Sequence, residues 1–215
     1  MSKDVKPKRA YDSRRRKLGA IETRQAILDA AHRKFITEGW TRTTIAAIAA
    51  EAGVAPETIY AAFGTKRAII AELVQRAVRG GQPAVPLLEQ QERQRVMAAP
   101  GHKAQIAAFA EDISDVLARV APLIAVVREG AGEPDLARLY ADLHGGRRRN
   151  LAVFAEALLA RGPLRGGLDR DAATAIMWRL ASPELFLLMR DVEGLDLAAY
   201  AGWLTASLER QLLDG

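Results

Sequence analysis

From residue 20 onward, apolar side chains recur at three- and four-residue steps, the period of amphipathic helices rather than strands. Ile21, Ile27, Leu28, Ala31 and Phe35 outline a first helix of about 18 residues, with Gly39 as its C-terminal stop. Thr43 is placed as the N-cap of a short second helix over residues 44–52, with Ile45, Ile48 and Ala49 inward. Gly53 ends it. Pro56 suits the first position of a third helix, where its missing N–H costs nothing. Val54 and Ile59 stand at hydrophobic-staple spacing around that start. Thr65 caps a fourth helix, with Ile69, Ile70, Leu73, Val74, Ala77 and Val78 as its buried stripe. The Gly80-Gly81-Gln82-Pro83 run breaks the pattern, and residues 85–100 are expected to be helical only in part. Five further helices are predicted at 102–119, 122–130, 134–161, 169–190 and 196–213, separated by Pro122, Pro134 and the glycine-rich segment 161–167. Pro183 should end or kink its helix locally. With no period-2 alternation and no hairpin turn, the expected fold is all-α.

Charge divides the chain further. Residues 1–19 hold eight basic side chains against two acidic, residues 20–80 eight against six, and residues 81–215 fifteen against eighteen. The whole excess of the net +5 therefore lies in a leader with little to bury, which predicts a disordered basic arm over 1–19. Such an arm suits nucleic-acid binding, with Arg14, Arg15 and Arg16 as its densest charge, or else serves as a solubilising tail. A domain over 20–80 and a larger helical domain over 81–215 follow from the breaker at 80–83. The absence of cysteine removes disulfides and thiolate chemistry. His32, His102 and His144 are scattered, without metal-ligand spacing, so neither a metal nor another cofactor is expected. No apolar run approaches the ~18 residues of a membrane span, and no apolar segment follows Met1–Arg9 as in a secretory signal. A soluble cytoplasmic protein without membrane partners is expected.

Residues 43–66 hold two short helices joined by a tight glycine-containing turn, a helix-turn-helix whose second helix can enter a major groove. With Ile59 and Phe63 buried, the 100° step turns Glu57 and Ala61 outward and places Thr58 and Tyr60 on the flanks. Thr and Tyr hydroxyls reach phosphates or base edges. Lys66, in the first turn of the next helix, is suited to a phosphate. The register of Thr43-Thr44-Ile45, Ile48-Ala49, Ala52-Gly53-Val54, Thr58-Ile59-Tyr60, Phe63 and Lys66 resembles the N-terminal domain of the TetR family of bacterial transcriptional regulators. The resemblance covers residues 21–75, and the helical remainder has the size of that family's ligand-binding and dimerisation domain. It implies DNA contacts from Thr44, Thr58, Tyr60 and Lys66. Ala55, Glu57, Ala61 and Ala62 depart from the residues common in the family. Glu57 either accepts from a cytosine amino group or only complements the helix dipole while repelling phosphates.

The resemblance further implies a homodimer on palindromic double-stranded operator DNA, acting as a repressor that a small apolar or aromatic effector releases. An interhelical pocket would draw on Phe109, Leu123, Val127, Tyr140, His144, Arg147, Trp178 and Phe186, although the same residues suit a filled core. Most of Arg147-Arg148-Arg149 should be solvated, with room for one of the three to reach inward to an anion. Leu197, Tyr200, Ala201, Leu204, Leu208 and Leu212 form a stripe suited to a two-fold four-helix interface or to packing on the domain itself. The alternative function is a DNA-binding protein that senses no small molecule, acting architecturally or through a partner. An enzyme is not expected, since no phosphate loop, nucleophile elbow or histidine–aspartate pair is present.

Overall fold

The helical periods become ten α-helices in a computed structural model that describes residues 8–80, 85 and 87–214, with the side chains of residues 8–17 and 88 outside that description. No strand occurs among the described residues. Internal contacts divide the chain into two compact units, one through Ile70 and one from Ala71 onward. The division falls inside a helix rather than at the 80–83 breaker, because Val74 and Val78 pack with the second unit.

In the first unit, α1 spans Lys8–Arg42, α2 Ile45–Ala52 and α3 Pro56–Phe63, and α4 begins at Lys66 and continues to Arg79. Helix α1 starts far ahead of residue 20, so residues 8–19 are helical where a disordered arm was expected. Residues 1–7 of that arm, and the side chains of Arg14, Arg15 and Arg16, lie outside the described residues. Gly39 does interrupt α1, at φ 74 and ψ −175, a backbone region essentially closed to side chains bearing Cβ. The N-cap of α2 is Thr44 rather than Thr43: its hydroxyl accepts from Ala47 N at 3.1 Å. Thr43 is buried and donates to Gly39 O at 2.7 Å, because it sits one residue too early and faces the end of α1. Gly53 closes α2 in the left-handed region. Ile27, Leu28, Phe35, Ile48, Ile59 and Ile69 form the core, with Trp40 stacked on Phe35 at 5.7 Å between ring centres.

The second unit contains α5 (Gln91–Ala98), α6 (Gly101–Glu129), α7 (Pro134–Leu159), α8 (Arg170–Leu180), α9 (Pro183–Leu187) and α10 (Leu197–Leu212). The central helix is α6, which packs against α5, α7, α9 and α10. It runs unbroken through Pro122, where the sequence suggested two helices. A proline inside a helix costs about 3 kcal/mol, whereas each fully buried aliphatic side chain contributes roughly 1.5–3 kcal/mol. Leu123, Ile124, Val126 and Val127 lie buried beyond it. The carbonyl left without its helical donor belongs to Ala118, which faces solvent. By contrast, the stretch expected as one helix over 169–190 breaks at Ser182, whose hydroxyl caps α9 at Leu185 N. A single π-helical turn, Leu188–Val192, then leads toward α10.

Candidate DNA-reading face and ligand cavity

Helix α3 is held by its inner side. Ile59 is buried, and Arg24 of α1 donates to Ala62 O at 2.7 Å while its guanidinium lies 3.9 Å above the Phe63 ring. Glu51 of α2 bonds Arg33 of α1 at 2.6 Å, and this guanidinium with Lys34 holds the Glu51 carboxyl below its ordinary range. The Arg24 contacts thus hold the end of α3 on α1, and the Arg33–Glu51 pair holds α2 on α1. Glu57, Tyr60, Ala61 and Ala62 of α3 are exposed, Tyr60 at 55%, and Thr58 is half-buried. Thr44 is exposed beside them, but its hydroxyl already serves as the α2 cap.

Lys66 is engaged within the first unit. Its ammonium donates to Trp40 O at 2.8 Å and Thr43 O at 2.9 Å, and lies 3.9 Å from the Trp40 ring centre. A cation is favoured among carbonyls that end a helix, so this side chain ties the end of α1 to the start of α4. Two of its three N–H donors are thereby committed to the protein.

In the second unit a cavity of about 420 Å³ opens among the helices. Val74 and Val78 of α4, Val96 of α5, Phe109 and Val116 of α6, and Phe154 of α7 supply apolar wall. Phe109 and Phe154 stack at 4.3 Å. Of the residues expected to line a pocket, Phe109, His144 and Arg147 do so. Leu123, Val127 and Phe186 instead fill the core. Tyr140 and Trp178 stand edge-on to the His144 ring, at 4.4 and 5.8 Å, supporting it from outside the lining. The reason is angular: one helical face cannot serve both the cavity and the neighbouring helix, and residue type alone does not separate them.

The polar part of the wall is a connected group. Arg147 donates through Nη1 to Ala181 O at 3.0 Å and through Nη2 to Trp178 O at 2.8 Å, capping α8. Burial lowers its guanidinium to about 10. Tyr140 donates to Glu184 Oε1 at 2.6 Å, and burial together with that carboxylate raises its hydroxyl to about 12. His144 Nε2 lies 3.3 Å from the same carboxylate oxygen. The His144 ring first, and then the Tyr140 hydroxyl, pull Glu184 down to about 2 against the opposing effect of burial. Sequence reading did not single out Arg93 and Asp112, which form an ion pair on the cavity wall between α5 and α6. Only the packing of two helices brings these positions together, so no local spacing marks them.

The stripe expected at a dimer interface turns inward. Tyr200, Leu204, Leu208 and Leu212 are fully buried, and Leu197 and Ala201 half-buried, because α10 packs this face on α6 and α8. Burial also raises the Tyr200 hydroxyl. The opposite face, with Ala198, Gly202 and Ala206, is exposed. Among the described residues no three His, Asp or Glu side chains converge as a metal site, and no helix is long and apolar enough to cross a membrane.

Residues 27–73 match the family model for bacterial regulatory proteins of the tetR family. The fold is similar to solved structures of low sequence identity. A putative TetR-family transcriptional regulator from Mesorhizobium loti is 20% identical with a TM-score of 0.68, over 89% of this chain and 95% of that one. A putative transcriptional regulator from Saccharomonospora viridis, in complex with choline, is 19% identical with a TM-score of 0.68, over 90% and 99%. The transcriptional regulator FadR from Bacillus subtilis, in complex with stearoyl-CoA, is 21% identical with a TM-score of 0.67, over 86% and 96%. No curated protein sequence matches.

Proposed function

We propose that the chain, whose residues 27–73 match the model of the tetR family of bacterial regulatory proteins, is a cytoplasmic repressor that binds a palindromic operator as a homodimer. The observation that carries this reading is the outer face of α3. A groove-reading helix needs small or polar outward residues on a backbone that does not yield. Glu57, Tyr60, Ala61 and Ala62 meet the first condition, and the Arg24 tie to Ala62 O supports the second. Tyr60 and Thr58 read the groove or its phosphates, Thr44 approaches a phosphate from the start of α2, and Arg14, Arg15 and Arg16 add a sequence-independent attraction. A mobility-shift assay on the DNA flanking the protein's own gene tests this. Tyr60→Ala is expected to weaken binding at least tenfold with unchanged folding, and equal binding would remove α3 as the reader.

The cavity favours an effector over the alternative of a regulator that senses no small molecule. At about 420 Å³ it lies within the usual range of ligand sites. A ligand there touches Val74 and Val78 of α4, the helix that follows α3 in the chain. A coupling of ~1–3 kcal/mol would alter operator affinity roughly 5- to 150-fold. The two-fold contact is assigned to the exposed side of α10, where Ala198, Gly202 and Ala206 permit close helix approach.

A further inference from the structure

We infer that the cavity of the second unit selects an amphiphile with a single anionic head, a carboxylate on an apolar tail, and seats that head at His144 and Arg147. This rests on the reading of the cavity as an effector site and specifies the effector's chemistry.

The argument begins on one face of α7. His144, Arg147, Leu151 and Phe154 follow at steps of three and four, so they lie in one row along the cavity wall. The row is polar at its first two members and apolar at its last two. It extends about 15 Å at the rise of an α-helix. Phe154 is stacked on Phe109, which continues the apolar end across to α6. A ligand lying along this row meets nitrogen donors at one end and hydrocarbon at the other.

The polar end is unsatisfied. Arg147 spends both terminal nitrogens on the carbonyls of Trp178 and Ala181, and its Nε–H is buried with no acceptor. His144 turns Nε2 toward the Glu184 carboxylate at 3.3 Å, while its Nδ1 is buried with no hydrogen-bond partner. Buried polar groups are overwhelmingly paired, so orphan donors on a cavity wall mark a place for an acceptor. An anion is favoured over a neutral acceptor because the Arg147 charge is neutralised only in part. Its direct partners are carbonyls, and the carboxylate that attracts it, Glu184, lies outside the lining and is shared with the Tyr140 hydroxyl and the His144 ring. The other charges on the wall do not oppose this: Asp112 is paired with Arg93, and Asp142 and Arg149 are exposed. A cationic head would meet the buried guanidinium with no free buried carboxylate on this wall to offset it.

The test uses three ten-carbon probes below their micellar concentrations, titrated calorimetrically into the full-length protein without DNA: decanoate, decan-1-ol and decyltrimethylammonium. Decanoate is expected to bind ten- to a hundredfold tighter than the alcohol, the range of a charge-assisted hydrogen bond, with the ammonium weakest. Arg147→Met should remove the advantage of decanoate while leaving the alcohol within threefold of its parent affinity. Because Arg147 also caps α8, circular dichroism accompanies each variant. Arg147→Lys, which keeps a cation but has no Nε–H, carries the comparison if the methionine variant does not fold; it should cost decanoate at least threefold and the alcohol nothing. Equal binding of alcohol and carboxylate, or tighter binding of the ammonium, overturns the head assignment while leaving the cavity a ligand site. Failure of all three probes to bind overturns the assignment together with that use of the cavity. A decanoate complex that still holds operator leaves this inference standing and removes ligand release from the proposed function.

Discussion

Replacing Lys66 with alanine removes a tie between the end of α1 and the start of α4, and the two roles open to this side chain predict opposite results. Its ammonium donates to Trp40 O and Thr43 O at 2.8 and 2.9 Å and lies over the Trp40 ring. A hydrogen bond from a charged donor contributes roughly 1.5–3 kcal/mol and an exposed cation–π contact about 0.5–1 kcal/mol. Because Lys66 is half-exposed, water replaces part of what is lost. A net cost of about 2–3 kcal/mol remains. For a chain of this length that is a fall in melting temperature of roughly 4–12 °C. Calorimetry on Lys66→Ala and Lys66→Gln measures it, the glutamine recovering part of the loss through a neutral donor. If Lys66 were instead a phosphate ligand, stability would hold and the log–log salt slope of DNA binding would fall by about 0.9. Parent-like melting with a reduced slope would refute the clamp.

Three other perturbations test separate parts of the structure. Glu184 is held at about 2 in the fold against an ordinary value of 4.5, so its contribution is present above pH 4.5 and disappears as pH falls toward 2. Glu184→Gln should therefore cost about 1–2 kcal/mol at pH 7, discounted for partial exposure, and show a flatter acid limb than the parent between pH 4.5 and 2 by urea unfolding. Gly39→Ala forces a Cβ into a backbone region reserved for glycine and is expected to destabilise by roughly 1–3 kcal/mol in the same assay. Gly202 has nothing within 4 Å of the place a Cβ would take. Gly202→Arg should thus leave the chain folded and convert the proposed dimer to monomer in sedimentation velocity, and an unchanged dimer would move the two-fold contact off α10.

What could be read from the sequence is what local chemistry controls. Helix periods, the stops at Gly39 and Gly53, the start at Pro56 and the cap at Thr65 depend on neighbours within one turn. The outward turn of Glu57 and Ala61 on α3 followed in the same way, because the buried Ile59 and a 100° step orient its neighbours. Tertiary packing decided whatever depended on a partner remote in the chain. Pro122 stays helical because burial on several sides of α6 exceeds the loss of one hydrogen bond. Lys66 turns inward because the end of α1 presents two carbonyls within its reach, an arrangement no spacing in the sequence encodes. The stripe on α10 was visible as apolar, but an apolar stripe fits a second copy or the chain's own core equally well until its neighbours α6 and α8 are placed. Arg147 stands in a run of three like residues, and only the position of α8 distinguishes it: the helix end that accepts its two donors leaves a third nitrogen on the cavity wall. Periodicity reports which face of a helix is apolar, and the surface that meets that face is a property of the assembled core.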